Sequence, residues 1–258
     1  MKENRKRSLI TLLLVVLAVR LIFLSLFHHQ IFSGPSTQFE QAFVAINLLD
    51  GNGIKTFKEP PQTVETSNPA KILDPEEYEV RSPELLPYIK EVPGYAFFLA
   101  GLWGLFGTKL WIFAQVAQLL FELLAAWCLY SLTKKFFGRK TGLLTVFVFA
   151  FLFYEVRASV IPYKDIFLLY AMLMITFFSS RIFFQESKPW LRFVLICAGT
   201  GFGYYFMPSI LLYPIFLALM LWILKRIRFR QAVVFVLIAA VVTGLMIWPY
   251  QSYVRSQE

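Results

Sequence analysis

Cysteine, histidine and charge are all scarce in this chain. Its 258 residues include two cysteines, Cys128 and Cys197, both inside apolar runs, which excludes a disulfide framework. The two histidines, His28 and His29, are adjacent. Neighbouring imidazoles with no partner at ligand spacing are a weak metal signal, even with Glu40 downstream. Charged residues make up 16% of the chain. The net charge of +9 does not describe a nucleic-acid surface, because the cations fall in short links between apolar runs. No small-residue cleavage pattern follows the opening apolar run at 8–27, so that run is an uncleaved anchor rather than a signal peptide. Paired broken helices and an internal repeat are also missing, which ranks a transporter low.

What the chain has in excess is apolar length. It is 58% hydrophobic and 18% aromatic, with mean hydropathy +0.61. The excess lies in runs near the roughly 20 residues that a helix needs to cross hydrocarbon. The pattern predicts an all-α polytopic membrane protein, a single membrane module over 1–258 with about seven transmembrane helices. The spans fall at 8–27, 110–133, 141–161, 165–184, 192–206, 208–224 and 231–250. Basic clusters at Lys2–Arg7, Lys134–Lys140, Arg181–Arg192 and Lys225–Arg230 then all fall on one side. By the positive-inside rule that side is cytoplasmic. The reading is a multi-pass plasma-membrane protein, in a bacterium the inner membrane, with a cytoplasmic N-terminus.

The segment 28–109 between the first two spans is net acidic, which places it outside. It holds two shorter helices. One covers 37–49 and stops at Asp50-Gly51-Asn52-Gly53, a helix-ending string. The other, 93–106, is too short to cross comfortably and is expected in the outer interface. The proline-rich stretch 59–91 is expected to be irregular.

Several residues could carry chemistry, and each has a plainer reading. Arg20 and Glu122 lie at matching depths in the first two spans, counting about 1.5 Å per residue. They read as a structural ion pair, with Gln115 and Gln118 on the same face as Glu122, or as part of a substrate pathway. Glu40 is the acid nearest the outer end of the first span. It suits a base or a metal ligand, but Thr37-Gln38-Phe39-Glu40 is also a capping box. Asp165 opens the fourth span as a site acid or as a carboxylate favoured by the helix dipole. Arg81, Lys90, Arg157 and Lys164 are outer-face cations, fitted to a lipid-linked phosphate or to ordinary headgroup contact.

The ordered strings Asn47-Leu48-Leu49-Asp50-Gly51-Asn52-Gly53, Val92-Pro93-Gly94-Tyr95-Ala96-Phe97-Phe98-Leu99-Ala100 and Leu105-Phe106-Gly107 resemble the first-loop signature of GT-C glycosyltransferases. Lys135-Phe136-Phe137-Gly138-Arg139, Asp165, the glycine-rich stretch ending at Met207-Pro208, and Trp248-Pro249-Tyr250 extend the likeness over nearly the whole chain. It is similar in style to bacterial lipid A aminoarabinose transferases and protein O-mannosyltransferase-like enzymes.

The resemblance implies a membrane glycosyltransferase that takes a polyprenyl-phosphate sugar at the outer face, among membrane lipids. Asp165, and Glu40 with it, would be the catalytic acids. Lys90 would contact the phosphate, with Arg81, Arg157 and Lys164 beside it, and a divalent metal ion is a candidate cofactor. In the family pattern a first-loop acid falls at Ser36, Thr37 or Gln38 here, none of them acidic, and Met207 stands where a basic residue is usual. Relatives continue with a further outer loop and more spans, which makes a partner membrane subunit an expectation. The alternative is a catalytically impaired protein that binds a lipid-linked sugar or a partner.

Overall fold

A computed structural model describes residues 2–27, 37–57, 84–88, 92–152, 164–184, 189–206 and 208–256. Among these the chain forms nine α-helices, a 3-10 turn and one short β-ladder. The order is α1 (Lys2–Phe27), α2 (Thr37–Leu49), β1 (Lys55–Phe57), β2 (Leu85–Pro87), α3 (Gly94–Phe106), α4 (Trp111–Phe137), α5 (Arg139–Phe151), α6 (Lys164–Phe183), α7 (Pro189–Tyr204), the 3-10 turn Pro208–Leu212, α8 (Tyr213–Ile223) and α9 (Phe229–Arg255). The fold is an all-α membrane architecture. Among the described residues three segments are long and apolar enough to cross a membrane, Ser8–Phe27, Trp111–Phe137 and Phe229–Arg255. The expected spans 165–184 and 208–224 fall on the shorter apolar helices Tyr170–Phe183 and Ile210–Ile223, and 141–161 and 192–206 fall on α5 and α7.

The helices pack in a chain of neighbours. α1 lies on α5 and α4, α4 on α5 and α6, α6 on α7, and α7 on α9 and α8. Small residues allow the closest approach: a Cβ on Gly201 of α7 would come within 2.6 Å of Met246 Sδ on α9. That is how helices associate in lipid, where apolar area alone supplies no preference for a neighbouring helix over an acyl chain.

The two ends of the bundle differ. At one end lie the helix ends that carry the basic clusters. Arg139 Nη2 donates to Ser8 Oγ at 3.2 Å, and Arg192 Nη1 to the Arg181 carbonyl at 3.4 Å. The Lys135 ammonium lies 4.2 Å from the centre of the Phe184 ring, and the Arg226 guanidinium 4.6 Å from that of Phe183. At the other end sit α2, the ladder, α3 and one buried cluster that includes Ala45, Tyr95, Leu99, Trp103, Trp111, Phe167 and Phe206.

Two expectations need correction. The stretch 59–91 is not irregular throughout: Leu85–Pro87 pairs antiparallel with Lys55–Phe57, with Phe57 opposite Leu85. Prolines on both sides hid this strand, yet Pro87 is tolerated because a two-stranded ladder has only edges. The helix expected over 141–161 ends at Phe151, and Leu152 is extended (φ −66°, ψ 113°). The Phe149 and Ala150 carbonyls of its last turn accept from Arg20.

Candidate functional site

The site is built on the first turn of α3, and its backbone explains the Val92-Pro93-Gly94-Tyr95 string. A helix start leaves N–H groups without intrahelical partners. Gly94 N donates to the Tyr205 carbonyl at 2.9 Å, and Ala96 N to Gln41 Oε1 at 3.1 Å. Gly94 sits so tightly on the end of α7 that a Cβ would lie 2.3 Å from the Tyr205 carbonyl oxygen. Only glycine allows that hydrogen bond. Tyr95 is buried, and its hydroxyl meets Gln118 Oε1 of α4 at 3.3 Å.

Gln41 is fully buried and joins three strands of chain. Besides accepting from Ala96, its amide nitrogen donates to Tyr88 Oη at 3.0 Å and to the Val92 carbonyl at 3.3 Å. Sequence reading passed over it for Glu40 beside it. The usable signal was a polar side chain set among Ala42, Phe43, Val44 and Ala45, a buried position that requires partners.

α2 is held at its other end as well. Asn52 N donates to the Asn47 carbonyl at 2.8 Å and Gly51 N to the Leu48 carbonyl at 3.3 Å, around Gly51 at φ +79°. This is a Schellman closure, and it confirms the helix stop expected at Asp50-Gly51. Asn47 then donates from Nδ2 to the Lys55 carbonyl at 3.1 Å, which carries the closure into β1. Tyr253 Oη, near the end of α9, donates to the Ile54 carbonyl at 2.5 Å. Tyr205 Oη donates to the Met246 carbonyl at 2.5 Å. The last helix therefore ties to the first loop at both Ile54 and, through Tyr205, Gly94.

α6 reaches the same place. Phe167, in its first turn, packs its ring 4.5 Å from that of Phe98, 5.2 Å from Phe206 and 5.8 Å from Tyr95. Gln41, the residue after Glu40, and Phe167, two residues after Asp165, thus both contact the first two turns of α3. Glu40 is half-buried. Of Asp165 and Lys164 the backbone positions are described, at the start of α6; their side chains lie outside the description. Arg81, Lys90, Arg157, His28, His29, Ser36 and Met207 lie outside the described residues. The side chains of Thr37 and Gln38 are not described, which leaves the capping box open. Among the described residues no three His, Cys, Asp or Glu side chains gather as metal ligands.

The expected Arg20–Glu122 pair is present deeper in the bundle. Arg20 Nε meets Glu122 Oε1 at 2.6 Å, with both side chains almost fully buried. Arg20 also donates from Nη1 to the Ala150 carbonyl at 2.5 Å and from Nη2 to the Phe149 carbonyl at 3.0 Å. Both carbonyls lie in the last turn of α5. The cation therefore neutralises an acid and caps a helix end together, a use of Arg20 that depth matching alone could not reveal. Gln115 and Gln118 are buried on the same face as Glu122.

An all-α bundle of apolar helices, with a loop-bearing end folded around a Pro-Gly-Tyr turn, describes a multi-pass membrane protein. Residues 90–250, well over half of the chain, match the dolichyl-phosphate-mannose-protein mannosyltransferase family. The chain belongs to that family of membrane glycosyltransferases. No curated protein and no solved structure matches it.

Proposed function

We propose that this protein transfers a sugar from a polyprenyl-phosphate carrier to an acceptor, at the end of the bundle formed by the first loop and the start of α6. One observation carries the reading: in a chain of this family, Gln41 beside Glu40 and Phe167 two residues after Asp165 both pack on the first two turns of α3. The acceptor oxygen attacks the anomeric carbon as the bond to the carrier phosphate breaks. A carboxylate takes the acceptor's proton, and the polyprenyl phosphate leaves against positive charge. Asp165 is the first choice for that carboxylate, with Glu40 beside it. Lys90, Arg81, Arg157 and Lys164 are the cations proposed for the phosphate. The acidic first loop and the gathered basic clusters support an outer-face site and a cytoplasmic N-terminus in a plasma membrane.

The test is transfer from polyprenyl-phosphate sugars by detergent-purified protein. Asp165→Asn is expected to abolish transfer while the protein remains folded; unchanged turnover would remove Asp165 from the mechanism. A second reading, a lipid-sugar-binding protein without turnover, is favoured by the absence of an acid at Ser36, Thr37 and Gln38, where the GT-C resemblance implies one. Donor binding by the wild type with no transfer to any acceptor would establish it.

A further inference from the structure

The end of the bundle opposite the Gly94 turn carries a cleft that the glycosyl-transfer reading does not use. It is an open cleft of about 580 Å³ where α8 passes into α9, lined by Trp222, Lys225, Arg226, Arg228, Phe229 and Gln231. Three of these are cations, and Arg230 follows. No aspartate or glutamate occurs between Pro189 and Gln257. Among the described residues no carboxylate pairs with Lys225, Arg226 or Arg228.

The turn that makes the cleft has an unusual residue. α8 closes by a Schellman pattern: Arg226 N donates to the Leu221 carbonyl at 2.8 Å and Lys225 N to the Trp222 carbonyl at 2.8 Å. The left-handed position belongs to Lys225, at φ +55°. The ends of α2, α3 and α4 place glycine at their positive-φ positions, Gly51, Gly107 and Gly138. Lys225 is the one non-glycine residue with positive φ among the described residues. A lysine in a conformation that suits glycine is strained, and strain kept in a fold points to a use for the side chain.

The rest of the cleft is apolar. Trp222 and Phe229 pack with ring centres 5.5 Å apart and stay 41% and 61% exposed. Ile223 and Leu224 beside them are exposed too. Cations beside an uncovered apolar face match a ligand with an anionic head and hydrocarbon attached to it. We infer that this cleft binds the phosphate headgroup of an anionic glycerophospholipid from the leaflet at the basic end of the bundle. Lys225, Arg226 and Arg228 contact the phosphate, and Trp222 and Phe229 contact the glycerol and upper acyl chains. Basic pockets between membrane helices select such headgroups by charge.

The test is lipid retention by the purified full chain, read by native mass spectrometry against phosphatidylglycerol and phosphatidylcholine. The readout does not depend on sugar transfer, so it stands or fails apart from the proposed activity. Wild type is expected to retain phosphatidylglycerol over phosphatidylcholine. Arg226→Gln with Arg228→Gln is expected to weaken that retention about fivefold per cation removed. Lys225→Gly relieves the turn while removing its cation, so it should melt no lower than wild type and still lose about fivefold in retention. Equal retention of the two lipids, or unchanged retention in a folded Lys225→Gly, would overturn the proposal. Displacement of phosphatidylglycerol by millimolar inorganic phosphate would also overturn it, and reassign the cleft to free phosphate.

Discussion

Arg20 and Glu122, 102 residues apart in sequence, meet at 2.6 Å in the interior of the bundle. Removing one partner leaves a buried charge, while removing both does not. Arg20→Leu or Glu122→Leu alone is expected to destabilise by about 3–5 kcal/mol. The double variant should lose much less than the two together. Arg20→Leu should be the worse single change, because it also uncaps the Phe149 and Ala150 carbonyls. Thermal melting in detergent measures the cycle; additive losses would show that the two side chains do not act as a pair.

Gly94→Ala is expected to displace α3 from Tyr205, costing about 1–3 kcal/mol as an overpacked contact. The control is Gly101→Ala on the same helix, where a Cβ meets nothing within 4 Å. That change should stabilise by about 0.5–1 kcal/mol through helix propensity. Similar melting temperatures for the two variants would contradict the close approach.

Tyr253→Phe removes one hydroxyl from the link between α9 and Ile54. A stability loss of about 0.5–1.5 kcal/mol is expected. Limited proteolysis should show faster cleavage near Ile54, with cleavage near Lys140 unaltered. Equal acceleration at both sites would mean that the whole bundle had loosened instead.

The segregation of the two ends is open to labelling in intact cells. Asn52, Ser256 and Lys140 are exposed, and both native cysteines are buried, which keeps background low. An impermeant thiol reagent is expected to modify Asn52→Cys and Ser256→Cys, and Lys140→Cys only after permeabilisation. Modification of all three in intact cells would contradict the orientation.

Some of this architecture could be read from the chain, and the reasons are local or energetic. α2 was legible to its last residue because Asp50-Gly51-Asn52-Gly53 encodes a left-handed turn that few sequences can make. The Arg20–Glu122 pair was legible because a charge in hydrocarbon needs a partner at its own depth. The end of α5 was not: Phe153 and Tyr154 carry the apolar run past Leu152, and hydropathy records burial rather than backbone direction. Nor was the Gly94–Tyr205 contact, which joins residues far apart in sequence through a carbonyl that every residue type carries. Glu40 and Asp165 were chosen by residue type and resemblance. What ties their helices to α3 is the apolar packing of Phe167 and the amide of Gln41, neither of which advertises chemistry.

The pairing of Phe57 with Leu85 has a practical consequence. Because the ladder fixes both ends of the intervening segment at one spot, its length is uncoupled from the spacing of the helices around it. A peptide epitope spliced between those two strands should leave the register of Lys55–Phe57 and the seating of α3 untouched, so this junction is the natural place for an affinity handle.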